Sequence, residues 1–279
     1  MSAADRQDAP AKPSAGFAEY LRRLRRETRS VRVAQALLVA VVLLLWEVAP
    51  RWHWTNPMLT SYPSAILSTF FSLVRDDHLF YHIWVTTAEV VIGFAMGMGI
   101  AMLVAVALWW WNFLYRVIDP FLVVANALPK IALVPIFYVW LGDVWSIYAI
   151  AIAISVFITI LMIYGGFRAT DGDKIKLVRT LGGTKWQILT KVVLPASVPT
   201  LIGALKINVG LALVGVIVGE FQSSKAGLGY LIIYGSQILQ MHMVMASIAV
   251  LALMSVAMYL LIAWIERRVL GSYQEGCHD

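Results

Sequence analysis

Charge is scarce in this sequence. Asp, Glu, Lys and Arg make up only 14% of the 279 residues, against 60% hydrophobic, which excludes an ordinary soluble domain and points to a polytopic membrane protein. Cysteine is nearly absent: Cys277 alone, beside the C-terminus, excludes an internal disulfide framework and a cysteine-rich metal site. No G-x-x-x-x-G-K-[ST] phosphate loop is present, and the GGTK stretch that holds Lys185 lacks that spacing, so the chain carries no ATPase motif of its own. Of the five histidines only His78 and His82 are four apart. With no third ligand beyond Asp76 and Asp77 they read as solvated rather than metal-binding. The start does not read as a signal peptide, because the first apolar run begins near residue 33 and no small-residue cleavage site closes it. Nor does the formal charge of +6 mark a nucleic-acid binder, since the basic residues cluster beside apolar runs, as at a membrane surface.

What the chain has in abundance is apolar runs. A membrane helix needs roughly 20 apolar residues, and six segments qualify: about 33–50, 84–108, 115–140, 145–167, 197–220 and 243–265. With the N-terminus in the cytoplasm, the inside collects eight basic residues before residue 33, Arg116, six from Arg168 to Lys191, and Arg267 with Arg268, or 17 of 22. Both termini are therefore expected inside. Tryptophans 46, 52, 54, 84, 140 and 145 mark the outer interface, and 109–111 with 264 the inner one. The expected organisation is a cytoplasmic leader (1–32), an all-α membrane domain of six transmembrane helices (33–270) and a cytoplasmic tail (271–279). Residues 1–15 read as disordered. Beyond them Phe17, Tyr20, Leu21 and Leu24 interleave with Arg22, Arg23, Arg25 and Arg26, which suits a basic amphipathic helix on a membrane surface or a solvated helix before the first span. Ile66, Phe70 and Leu73 recur at helical spacing, predicting a helix along the outer surface.

Residues 168–196 are the longest polar interruption between spans. Asp171 or Asp173 can cap a helix whose Ile175, Val178 and Leu181 share one face. Gly182 and Gly183 then supply the left-handed conformation that ends it. Thr184 with Gln187 three residues on is a capping box that opens a second helix, running through Ile188 and Val192 toward Pro195. The product is helix, elbow, helix. Its first arm has about two turns, too short to be stable alone in water, so it must pack on this chain's own helix ends or dock on a separate subunit.

The same stretch resembles the EAA loop of ABC importer permeases, whose pattern ends in Gly, nine residues, Ile, any residue, Leu, Pro; Gly182, Val192, Leu194 and Pro195 occupy those places, with Val for Ile. LPKIALVPIFYVWLG (128–142), GALKINVGLALVGVIVGEF (203–221) and GLGYLI (227–232) are similar to the nitrate, sulfonate and taurine permease group. The resemblance implies the MetI-like type I importer architecture. It also implies a homodimer with a second permease copy, two cytoplasmic ATPase subunits that hold the ATP and Mg, and an extracytoplasmic substrate-binding protein, all in a bacterial inner membrane. No cofactor would be bound by this chain. Candidate ATPase-coupling residues are Asp173, Lys176, Arg179, Gly182, Gly183, Lys185, Leu194 and Pro195.

Two positions depart from the pattern. Lys176 stands where the family usually opens the motif with Glu. With Asp173 as cap, Glu there would complete a capping box, so Lys is expected to cost roughly 0.3–1 kcal/mol. Glu89, in TTAEVVIGF, stands where the family often has Arg. Intramembrane polar residues are functional candidates, and Asn126, Pro129, Lys130, Asn208 and Glu220 are expected along the substrate pathway or at a gate. Lys130, between Pro129 and Pro135, suits either a cation lining an anion's path or a bond to a carbonyl freed by the broken helix. Glu220 suits an outer gate, a contact to a binding protein or a salt bridge within the bundle, and Lys206 suits snorkelling. Glycines 93, 97, 99, 203, 210, 215 and 219 suit close helix packing. A secondary transporter or channel would show an inverted repeat, and a membrane enzyme a catalytic cluster at an interface; neither is evident. The solute expected is a small anion such as a sulfonate, taurine or nitrate, with a pyrimidine thiamine precursor or riboflavin as the alternative.

Overall fold

The computed structural model describes residues 15–275, apart from 53, 55, 57–59, 77 and 78, with side chains placed between residues 29 and 268, Asp76 excepted. Residues 1–14, Asp77, His78 and Cys277 lie outside the described set. The chain divides into two compact units, Met1–Ser64 and Ala65–Asp279. In the first, α1 (Ala15–Arg51) takes in both the arginine-rich segment and the first expected span as one helix. Its last turns hold the chain that follows. The Glu47 carboxylate pairs with Arg51 at 2.5 Å and accepts the Ser64 N–H and hydroxyl at 3.0 and 2.7 Å, while the Trp46 indole N–H donates to the Ser61 carbonyl at 2.7 Å.

The second unit begins within α2 (Pro63–Asp76). The helix the spacing predicts is present, and its Leu73 is buried with Ile66 and Phe70 packed beside it, turned to the core rather than left open. The long helices that follow are α3 (Leu79–Trp110), α5 (Val134–Arg168), α8 (Leu194–Ser223) and α10 (Met241–Glu275). The shorter ones are α4 (Asn112–Ala127), α6 (Gly172–Thr180), α7 (Lys185–Ile188) and α9 (Leu228–Gln237).

Five described helical runs are long and apolar enough to cross a membrane: 29–51, 79–110, 130–168, 185–223 and 241–268. The third expected span, 115–140, is not one of them, because it is broken. Leu128 is forced into an extended conformation (φ −65°, ψ 139°) by the proline that follows. Pro129 then starts a short 3₁₀ turn, Lys130–Leu133, before α5 begins. That crossing is thus assembled from α4, the turn and the first arm of α5. The run 130–168 has 39 residues; straight, it would measure roughly 58 Å, about twice the ~30 Å hydrocarbon core. It is instead two helices merged at Gly142, whose φ of 75° and ψ of −173° suit glycine alone. The expected boundary between spans at 140 and 145 falls there.

Two apolar cores stack along the bundle. Leu73, Leu79, Ile147, Leu213, Val216 and Leu228 fill one end. Leu108, Leu122, Ile163, Phe167, Ile188 and Val193 fill the other. Between them α3, α5 and α8 approach closely. A β-carbon on Gly215 would lie 2.5 Å from the Ala151 Cα, and one on Gly219 would lie 2.8 Å from the Ile147 Cα. Lipid offers apolar surface as readily as protein does, so such backbone proximity is what holds membrane helices together. Gly93 and Gly97 join this contact, whereas Gly99, Gly203 and Gly210 have open space where a side chain would go, so the packing reading applies to only part of the set.

Candidate functional site

The elbow forms as its caps dictate, with one correction. Asp171, not Asp173, is the cap: its carboxylate accepts the Asp173 N–H at 2.8 Å. Counting from Asp171, position 176 lies beyond the third helical residue, so a glutamate there could not have closed the box and that part of the expected penalty does not arise. Lys176 instead donates to Asp173 at 2.9 Å, an exposed pair that contributes little to stability. Gly183 N–H donates to the Val178 carbonyl at 2.9 Å and Gly182 N–H to that of Arg179 at 3.0 Å, with Gly182 at φ 82°. Both bonds of the Thr184–Gln187 box are present. The second arm is not simple α-helix. After one α turn, Leu189–Val193 widen into a π turn ahead of Leu194 and Pro195, the latter having no N–H for the carbonyl four residues back.

Ile175 and Val178 pack onto the core at this end of the bundle, and Leu194 with them. Leu181 does not share their face, because it follows the last turn of α6 and stands 78% exposed. Leu177, four residues back on α6, is 61% exposed; Trp186, also 61% exposed, lies beside the Trp110 ring, and Arg179 is exposed as well.

Lys185 is turned inward to the end of α3. Its ammonium donates to the Trp110 carbonyl and lies 5.2 Å from the Trp110 ring centroid and 5.9 Å from that of Trp109; the Trp110 and Trp186 rings are 6.3 Å apart. A cation is favoured at the C-terminal end of a helix, so this side chain ties the elbow to α3. Lys185→Met keeps the stem and removes the donors. The loss of about 1–2 kcal/mol should speed hydrogen exchange of the amides of residues 185–193 some 5- to 30-fold. Unchanged exchange would remove the tie.

Asn126, Pro129 and Lys130 gather at the broken crossing, and Asn208 and Glu220 do not. Lys130 donates to the Asn126 carbonyl at 2.6 Å and lies 5.8 Å from the Phe157 ring centroid. The bond to a freed carbonyl is therefore present. The same lysine borders two cavities, one of about 450 Å³ with Phe137 and Phe157, the other of about 310 Å³ with Asn126 and Pro129. Asn208 borders neither. It is buried between α8 and α5, donating to the Thr159 hydroxyl at 2.8 Å. Lys206 pairs with Glu266 of α10 at 2.5 Å instead of snorkelling alone, a link between residues sixty apart that no local pattern announces.

Glu220 is 1% exposed and forms no ion pair among the described residues. The Thr86 hydroxyl donates to one carboxylate oxygen at 2.6 Å, and the Gly229 N–H in the first turn of α9 donates to the other. Thr86 in turn accepts the Leu228 N–H at 2.8 Å, and the His82 ring nitrogen Nδ1 accepts the Gly227 N–H at 3.0 Å. The salt-bridge expectation is thus replaced by helix capping: a carboxyl from α8 accepts hydrogen bonds at the first turn of α9. Sequence reasoning missed His82 and Thr86 in this role, and the glycines of GLGYLI were its visible sign.

A bundle of long apolar helices, with one crossing broken beside a lysine-edged cavity and an amphipathic elbow between two spans, defines a membrane transport permease. The chain belongs to the binding-protein-dependent transport system inner membrane component family, which residues 93–271 match. It is 30% identical over 196 residues to the formylaminopyrimidine transport permease protein ThiX of Halalkalibacterium halodurans, covering 70% of this chain and 77% of that one. To the putative aliphatic sulfonates transport permease protein SsuC of Bacillus subtilis it is 27% identical over 236 residues, covering 84% and 85%. To the taurine transport system permease protein TauC of Escherichia coli it is 21% identical over 237 residues, covering 83% and 86%. In fold it is similar to a chain of the inward-facing MetNI methionine ABC transporter, with a TM-score of 0.55 at 19% identity over 67% of this chain and 95% of that one. The expected importer-permease fold is thereby met.

Proposed function

We propose that this permease works as a homodimer in an ATP-driven importer, with ATPase subunits docked on the elbow and a binding protein delivering solute to the opposite face. The observation that carries the reading is the elbow itself. Its Ile175 and Val178 side is satisfied by the chain, while Leu177 and Leu181 remain uncovered. The elbow end then faces the cytoplasm, as do both termini, and the ATP and Mg belong to the partner. Closure of the ATPase pair moves the elbow, and through it the helices, between inward- and outward-open arrangements.

For the solute, the reading is a small organic anion such as a sulfonate or taurine, or nitrate, with Lys130 the cation beside its path. Vesicles holding the assembled importer test this: Lys130→Ala should lower anion uptake about tenfold, near 1.4 kcal/mol, and Lys130→Glu should lower it further. Uptake retained in both would remove Lys130 from the path. A second reading, a neutral aromatic solute as for the formylaminopyrimidine and riboflavin relatives, is favoured by the lining of the larger cavity, apolar but for the lysine. Thermal stabilisation of the binding protein by alkanesulfonates, taurine and nitrate, against pyrimidines and riboflavin, separates the two.

A further inference from the structure

The two cavities at the broken crossing share Leu128 and Lys130, so the lysine stands on the wall between them. The larger, of about 450 Å³, has no other polar side chain in its lining. That volume falls within the roughly 300–1,000 Å³ of small-molecule sites. Phe137 lines it from the first arm of α5 and Phe157 from the second, beyond Gly142, while Ala149 and Ala153 line it one turn apart with little side chain to fill it. Phe157 also packs on the core that holds Phe167 and Ile188, which fixes its ring; Phe137 belongs to neither core. The Lys130 ammonium gives one of its three donors to the Asn126 carbonyl and lies 5.8 Å from the Phe157 centroid. No carboxylate pairs with it among the described residues.

Such a lining makes two demands on an occupant. A cation held away from water calls for an opposite charge. The rest of the lining offers no side-chain hydrogen bond, so any further polar group on the occupant loses its water and gains nothing in exchange. Nitrate has no apolar body to set against this lining. Taurine carries an ammonium close to its sulfonate, which would meet either hydrocarbon or a lysine of its own sign. A neutral ring fills the space and leaves the ammonium without an anion. An acid group on an apolar ring meets both demands. The two phenylalanines favour a ring over an open chain, because offset and edge-to-face contacts add to what area burial alone supplies, and a rigid body loses less freedom when held.

We infer that the larger cavity binds an aromatic organic anion, its acid group on the Lys130 ammonium and its ring against Phe137 and Phe157, with Phe157 setting the preference for a ring. This rests on the reading of Lys130 as the cation beside the solute path and narrows it, since nitrate and taurine do not suit this cavity.

Calorimetric titration of the purified full chain in lipid nanodiscs tests the inference with three probes. Benzenesulfonate has both parts, methanesulfonate lacks the ring, and benzenesulfonamide has nearly the same shape but is uncharged at neutral pH. Benzenesulfonate should bind roughly tenfold tighter than either of the others. Lys130→Ala should weaken benzenesulfonate about tenfold and leave benzenesulfonamide unchanged. Phe157→Ala should weaken both ring compounds about threefold or more and leave methanesulfonate unchanged. Should Phe157→Ala fail to assemble, Phe157→Leu keeps apolar bulk without the ring and must narrow the preference for benzenesulfonate over methanesulfonate. Methanesulfonate binding as tightly as benzenesulfonate, with both weakened by Lys130→Ala, overturns the aromatic site and leaves the anion reading standing. Benzenesulfonamide binding as tightly as benzenesulfonate, unmoved by Lys130→Ala, overturns both. Benzenesulfonate that does not bind the wild type, as when lipid fills the cavity, or that binds regardless of Phe157, also overturns the inference.

Discussion

Gly227→Ala should unseat α9 and destabilise the chain by about 4 kcal/mol. Two costs add. Gly227 has φ 111° and ψ 169°, a region open to glycine almost alone and costing a side chain roughly 1–3 kcal/mol. The new β-carbon would also lie 2.4 Å from the Glu220 carboxyl carbon, so the carboxylate must leave its place. Its donors would then be buried without an acceptor, at roughly 1–3 kcal/mol more. A thermal melt in detergent should fall on the order of 10 °C. Gly99→Ala is the control, since its β-carbon enters open space inside a helix and should be neutral or slightly stabilising. A Gly227→Ala melt equal to wild type would mean that Glu220 does not hold α9.

Leu181→Asp should leave the fold intact and abolish productive docking of the ATPase partner. Leu181 is 78% exposed and takes no part in either core, so the isolated chain should melt as the wild type does. An apolar anchor at the centre of a docking surface is worth 2 kcal/mol or more. A charge in its place should weaken binding roughly 30-fold or beyond, and solute-stimulated ATP hydrolysis should fall with it. Trp186→Ala should act in the same direction. Full stimulation in both variants would move the docking surface off the elbow.

Local signals carried much of this structure into the sequence. The elbow was legible because its causes sit within four residues of their effects: an Asx cap, two glycines, a Thr–Gln box. The cap stayed ambiguous between Asp171 and Asp173, two residues apart with the same chemistry. The broken crossing was half legible. Pro129 and Pro135 marked a weak point, but hydropathy averaged over a window cannot see one extended residue at Leu128 or a reversal at Gly142. What stayed hidden was assembled across the bundle. Glu220 caps a helix that begins eight positions later, Lys206 meets Glu266 from another helix, and Lys185 meets the far end of α3. Spacing in one dimension carries no trace of such pairs, so Glu220 read as a gate, a binding-protein contact or half of a salt bridge, and Lys206 as a snorkelling residue.

The tie from Lys185 to Trp110 and the bond from Thr86 to Glu220 grip the same helix at two places. Between them α3 has no proline and runs about 24 residues, or roughly 36 Å. If the proposed partner pulls on the elbow, α3 would carry that pull as a pushrod along its axis, and the α9 dock at its other end would have to slide with it or let go.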